Sequence, residues 1–179
     1  MLRLLMLALT VFTLAYPAQA TERAYDFTFE NIDGGVLSLS DYDGKVLLIV
    51  NTATQCGNTH QFGSLQKAWD MYRNQGLVIV GISSNDFGQE PRKGHEIADF
   101  CTANFQVDFP MADLTPVRGN SAHPFYKWVK ATLGDKGTPS WNFFKYLIGR
   151  DGRIIDYFGT IDDPMAEPLR PAIESALKP

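Results

Sequence analysis

The chain has 179 residues, a length that suits one domain. Apolar residues make up 45% and charged residues 20%, the balance of a soluble globular protein. A formal net charge of −4, with no Lys/Arg cluster, excludes a nucleic-acid-binding footprint.

Arg3 gives the N-terminus a positive start, residues 4–15 are largely apolar, and Ala18-Gln19-Ala20 reads as a small-residue cleavage site. Residues 1–20 are therefore expected to be a secretory signal peptide. The apolar run is shorter than the roughly 20 residues that a membrane span needs, so no stable membrane association is expected. The mature chain, residues 21–179, is read as one exported, periplasmic domain.

Asp26-Phe27-Thr28-Phe29 alternates, Asn31-Ile32-Asp33-Gly34-Gly35 is turn-rich, and Val36-Leu37-Ser38-Leu39 follows, which together read as a β-hairpin. Residues 45–51 form a continuous apolar run of the kind found in central parallel strands. Residues 64–74 read as an amphipathic helix, with Leu65, Ala68, Trp69 and Tyr72 on one face and Gly76 beyond its end. Residues 77–82 are a second buried strand, and the polar, Gly/Pro-rich residues 83–94 are a loop. A short helix is expected near residues 96–104, then a brief apolar segment at Phe109-Pro110-Met111. Pro124 suits the first turn of a helix over residues 124–131. Residues 141–148 read as a strand, Arg150-Asp151-Gly152 as a hairpin turn and residues 154–158 as the return strand. A last helix is expected over residues 165–177. This order implies an α/β fold with a mixed central sheet, helices on both faces and an N-terminal β-hairpin.

The chain has two cysteines, Cys56 and Cys101. Cys56 follows the first apolar run and precedes a helix, so it is placed at a helix N-terminus, where free N–H groups and the dipole favour an anion. For cysteine that anion is the reactive thiolate. Free cysteine is also often buried and inert, but the polar flank of Thr54, Gln55, Asn58 and Thr59 favours a reactive site. In an exported protein the pair could form one structural bridge, but a core of this size is self-sufficient without it, which favours a catalytic pair. Thr59 stands where a C-x-x-C motif would carry its second cysteine, so a dithiol oxidoreductase of that kind is disfavoured. His60, His95 and His123 are isolated and lack metal-ligand spacing, so no metal site is expected.

The element order, with a cysteine at the first strand-to-helix junction, resembles a thioredoxin-like fold. Asn51-Thr-Ala-Thr-Gln-Cys56-Gly resembles the glutathione peroxidase motif N-x-A-[ST]-x-C-G, and Asn85-Asp-Phe-Gly-Gln-Glu-Pro91 resembles the second motif of that family. Phe109-Pro110-Met111, residues 122–128 (AHPFYKW) and residues 141–147 (WNFFKYL) resemble its later landmarks. The resemblance spans nearly all of the mature chain and is closest to cysteine-type, thioredoxin-dependent, exported bacterial members. It implies an antioxidant peroxidase with a catalytic tetrad at Cys56, Gln89, Trp141 and Asn142, and a resolving cysteine at Cys101.

The implied chemistry needs no cofactor. A Cys56 thiolate attacks hydrogen peroxide or an organic hydroperoxide and becomes a sulfenic acid. The indole N–H of Trp141 and the amides of Asn142 and Gln89 supply hydrogen bonds to the sulfur and the leaving oxygen. Cys101 resolves the sulfenic acid, and a thioredoxin-like dithiol protein or glutathione resets the enzyme. Glu90 is expected to anchor its loop and not to act as an acid. The alternative is a peroxide-sensing or thiol-disulfide exchange protein on the same scaffold. The chain departs from the family pattern in placing Gly88 and Gln89 side by side, in carrying Arg92 where glycine is common, and in Ser83-Ser84. The turn before Trp141 lacks the long loop that tetrameric members use, which implies a monomer. No cationic cluster for the carboxylates of glutathione is apparent along the chain.

Overall fold

A computed structural model describes residues 22–178, so the expected signal peptide lies outside the described residues. Thr28–Glu30 (β1) and Val36–Ser38 (β2) pair antiparallel, with Phe29 opposite Leu37. This is the expected hairpin. Both side chains point into the core, at 4% exposure each.

Val46–Thr52 (β3) and Leu77–Ser83 (β4) are buried at every position and pair in parallel. Continuous apolar runs of this kind need cover on both faces. The short Met111–Ala112 (β5) extends the parallel part beside β4. Lys145–Ile148 (β6) lies antiparallel to the other side of β3, and Ile154–Phe158 (β7) returns antiparallel to β6. The sheet order is β5-β4-β3-β6-β7, which is the mixed sheet expected. Gly152 turns the β6–β7 hairpin at φ +77°, and a Cβ there would come within 2.8 Å of the Tyr25 ring.

Each face carries its own core. Val46, Leu48 and Val50 pack against Gln61–Tyr72 (α1), His95–Phe105 (α2) and Leu169–Leu177 (α4). Leu47 and Ile49 face the opposite way, towards Pro124–Leu133 (α3) and the β1–β2 hairpin. Cys56 and Cys101 both belong to the first of these cores.

Three expectations are corrected. The first helix starts at Gln61, not at residue 64, and runs to Tyr72 before a single 3-10 turn. Successive turns closed by Thr59 N–H to Cys56 O, Gln61 N–H to Asn58 O and Phe62 N–H to Thr59 O wind the chain into helix early. The strand expected over residues 141–148 begins only at Lys145, because residues 141–144 are bent by Phe143 at φ +63°. The last helix begins at Leu169, not at residue 165. Pro168 lacks an N–H and disfavours helix at the residue before it.

Leu48 is fully buried at the centre of this arrangement. We expect Leu48→Ala to lower the unfolding free energy by about 2–5 kcal/mol, read from urea midpoints at unchanged slope. A loss below about 1 kcal/mol would contradict a close-packed centre.

Candidate active site

The site is assembled at the C-terminal end of β3. After Thr52 the chain leaves the sheet, and residues 53–60 form a series of tight turns. Cys56 therefore sits five residues ahead of the first residue of α1, in the turns that feed the helix and not in its first turn. It is buried, at 6% exposure. Asn58 points its backbone N–H at the Cys56 Sγ, 3.4 Å away. The Thr59 hydroxyl donates to Ala53 O at 3.2 Å and to Cys56 O, which fixes the turn around the cysteine.

Asn51 holds the second element of the site. Its Nδ2 donates to Trp141 O at 3.0 Å, and its Oδ1 accepts from Phe144 N–H at 3.0 Å. Its backbone O accepts from Phe143 N–H at 2.6 Å, and its backbone N–H donates to Phe144 O at 3.2 Å. These four bonds pin the 141–144 turn beside the start of the cysteine loop. Trp141 is 40% exposed, so it is not a core residue. Its ring lies 5.1 Å from that of Phe87. Asn142 is fully buried, and its Nδ2 donates to Gln89 Oε1 at 3.0 Å. Its Oδ1 has no partner among the described residues.

The third element is the loop that carries Gln89. Gln55, next to Cys56, donates its N–H to Gln89 O at 3.0 Å. Glu90 is 1% exposed and accepts from Thr54 N–H and Thr54 Oγ1–H, both at 2.7 Å, and from Arg92 N–H at 3.1 Å. It is a buried anchor between two loops, as expected. With its neighbour so fixed, the adjacent Gly88 and Gln89 still bring the Gln89 amide onto Asn142. Of the expected tetrad, Gln89 and Asn142 are bonded to each other, and Cys56 and Trp141 lie in the segments tied to them.

Cys101 is on α2, fully buried and free. Burial pushes its thiol up to about 12, with the nearby Glu90 charge adding to the shift and Arg92 opposing it. Only Ile97 and Cys101 of α2 are buried, and the helix has no side-chain N-cap. Arg92 bridges the two cysteine-bearing segments. Its Nη1 donates to Thr54 Oγ1 at 2.7 Å, and its guanidinium lies 4.6 Å over the Phe100 ring.

Sequence reasoning missed Lys145. It lies in an apolar stretch but is fully buried, and its Nζ donates to Gln61 Oε1 at 2.6 Å, Phe143 O at 2.7 Å and Gly159 O at 3.3 Å. Gln61 in turn donates to Thr160 O at 2.7 Å. The ammonium thus joins the 141–144 turn, the start of α1 and the segment after β7. Burial lowers its pKa to about 8, opposed by the charges of Asp162 and Asp163. A lysine inside an apolar run was the available signal. Among the described residues no group of three or more His, Cys, Asp or Glu is placed to hold a metal, and no helix is long and apolar enough to cross a membrane.

The lysine gives a pH test. The folded state binds its proton less tightly than the unfolded chain, whose value is 10.5. Stability tied to this group is therefore complete above 10.5 and is lost as pH falls through about 8. We expect the stability difference between the native protein and Lys145→Met to grow in favour of the native protein from pH 8 to 10.5, measured by urea unfolding. The Cys101 titration runs in both proteins and cancels. A flat difference would show that the amine is solvated.

Comparison with known proteins follows the same lines. Residues 24–130 match the model of the glutathione peroxidase family. A glutathione peroxidase of Lactococcus lactis subsp. cremoris is 43% identical over 78% of this chain and 91% of its own length. The hydroperoxy fatty acid reductase gpx1 of a Synechocystis species is 38% identical over 82% of this chain and 92% of its own length. The crystal structure of T. cruzi GPX1 superposes with a TM-score of 0.69 at 29% identity, covering 87% of this chain and 97% of that one. A thioredoxin-family thiol:disulfide interchange protein of Chlorobium tepidum shares the fold, with a TM-score of 0.66 at 15% identity over 90% of this chain and all of that one. The chain has the thioredoxin-like fold and belongs to the glutathione peroxidase family, a family of enzymes that reduce hydroperoxides.

Proposed function

We infer that Cys56 is the peroxidatic thiol and that Gln89, Trp141 and Asn142 assist it. The observation that carries this reading is the convergence of two segments, the 141–144 turn and the Gln89 loop, on the cysteine loop. Asn51 pins the turn of Trp141 and Asn142, Gln55 N–H holds the loop of Gln89, and the two amides meet at 3.0 Å. A thiolate at Cys56 attacks the terminal oxygen of ROOH. The O–O bond breaks, the sulfur is oxidised to the sulfenic acid, and RO⁻ leaves as ROH after taking a proton. Amide and indole N–H groups near the leaving oxygen stabilise its developing charge, where one such donor is worth about 3 kcal/mol.

In the second step the Cys101 thiolate attacks the Cys56 sulfur. The S–S bond forms and the sulfenic oxygen leaves as water. An external dithiol, a thioredoxin-like protein by preference over glutathione, then reduces the disulfide by exchange. A fully buried thiol pushed up to about 12 cannot act in place, so this step requires α2 to open locally. Two of the eleven α2 side chains are fully buried, and Ala98, Phe100 and Phe105 are packed against the core only in part, so opening requires less than unfolding the central sheet. With α2 closed, glutathione takes over the resolving role. The signal-like residues 1–20 support an exported, periplasmic enzyme, and the short turn before Trp141 supports a monomer.

Peroxide turnover with thioredoxin or with glutathione, combined with mass analysis of the cysteines, tests the scheme. Cys56→Ser is expected to abolish turnover with either donor. Cys101→Ser is expected to stop at Cys56 sulfenic acid, to over-oxidise under excess peroxide, and to lose thioredoxin-driven cycling. Undiminished thioredoxin-driven turnover in Cys101→Ser removes the resolving role.

A further inference from the structure

Phe87 has a second neighbour besides Trp141. The guanidinium of Arg118 lies 4.7 Å over its ring. Arg118 also lines a surface pocket of about 330 Å³ together with Asn120, Tyr126, Lys127, Lys130 and Thr138. Three of these side chains are cations and none is an acid. The cations are 9 and 3 positions apart in the chain, so no cluster is visible in the sequence. The loop after β5 and one face of α3 bring them together.

The acids closest to this pocket are already engaged. Asp86 Oδ2 accepts from Val117 N–H at 2.7 Å and from Arg118 N–H at 3.1 Å. Asp135 pairs with Lys130 at 3.1 Å in an exposed contact. Arg118 and Lys127 form no salt bridge among the described residues. Two hydroxyls add an independent observation. Tyr126 is 3% exposed, and its hydroxyl and that of Thr138 are both buried without a partner among the described residues. A buried polar group left unpaired costs about 1–3 kcal/mol, so each hydroxyl is a donor in want of an acceptor. Cations beside unpaired hydroxyls are the chemistry of a carboxylate site.

The surroundings indicate what carries the carboxylate. From Arg118 the surface runs over Phe87 to Trp141, two aromatic rings 5.1 Å apart. Trp141 is one of the few large apolar side chains left exposed, and it adjoins Asn142. A ligand with an anionic end and an apolar body fits this path. We propose that the Arg118–Lys127 pocket binds the carboxylate of an organic hydroperoxide, whose apolar chain crosses Phe87 and Trp141 to present the peroxide at Cys56. The proposal rests on the peroxidase reading and adds to it a selectivity: free hydroperoxy acids are taken in preference to their esters. Glutathione also bears carboxylates, and the experiment separates the two sources.

The test compares a long-chain hydroperoxy fatty acid with its methyl ester as substrates of the full enzyme. The native enzyme is expected to show a KM about tenfold lower for the acid, an advantage that shrinks as salt is added. Arg118→Gln and Lys127→Ala are each expected to bring the acid-to-ester KM ratio towards one. Equal KM values for acid and ester in the native enzyme overturn the proposal. So does an equal rise for both substrates in Arg118→Gln, which would make Arg118 only a support for Phe87. A change confined to the KM for glutathione also overturns it, by assigning the anion to the reductant. Hydrogen peroxide turnover by the native enzyme tests the peroxidase reading separately. If that fails, calorimetric binding of dodecanoate decides the pocket. Saturable binding that is lost in both variants supports the anion site, and no binding removes it.

Discussion

One asparagine side chain sets the geometry on which the site depends. Asn51 is the next-to-last residue of the central strand, and the cysteine loop departs after Thr52. Both its side-chain groups and both its backbone groups bond to residues 141–144. Each bond contributes only about 1 kcal/mol net to stability. Their greater effect is on position. Ordinary strand pairing between β3 and β6 ends at Val50 and Lys145. Beyond it, Phe143 at φ +63° bends the chain, and the Asn51 side-chain amide adds two bonds to the two its backbone makes there. The bend turns Trp141 outward and Asn142 inward. The sheet therefore holds both residues in fixed relation to Cys56 across a separation of about ninety residues.

Two buried charges brace this arrangement from other directions. Glu90 accepts three hydrogen bonds across the cysteine and glutamine loops, and Lys145 donates three across the tryptophan turn, α1 and the segment after β7. Neither makes a close salt bridge among the described residues. Burying a charge without a counter-ion is costly, and apolar replacements in such places are often neutral or stabilising. Hydrophobic packing alone would hold these segments as tightly but with less directional control. The hydrogen bonds of Glu90 and Lys145 point along defined axes, which suits loops whose amides must meet within hydrogen-bond distance.

The sequence carried the layout well because burial and periodicity decide it. The apolar runs at residues 45–51 and 77–82 became the central strands, and the hairpin at the N-terminus and the Gly152 turn followed from alternation and glycine placement. Residues 141–144 were misread because Trp-Asn-Phe-Phe has strand-like composition, and composition carries no sign of φ. The start of α1 was misplaced because Asn58, Thr59 and His60 look like loop residues, although their backbone turns already lead into helix. Lys145 was passed over because a lone lysine in a strand is normally solvent-facing. The Arg118–Lys127–Lys130 cluster was illegible because it exists only where a loop folds against a helix.

The placement of Cys101 bears on the energetics of the proposed cycle. Opening α2 re-exposes the fully buried Ile97 and Cys101 and the partly buried Ala98, Phe100 and Phe105. Each fully buried side chain contributes about 1.5–3 kcal/mol and the partly buried ones less, so the opening draws on a substantial share of a typical global unfolding free energy of about 5–15 kcal/mol. Local opening of single elements below the global unfolding free energy is a general property of folded domains. The Arg92 contacts to Thr54 and Phe100 join this motion to the cysteine loop, because displacing α2 pulls on a side chain that is bonded two residues before Cys56. Arg92 is thus a side chain through which the cysteine loop and the helix of Cys101 touch directly, by a hydrogen bond at one end and a ring contact at the other.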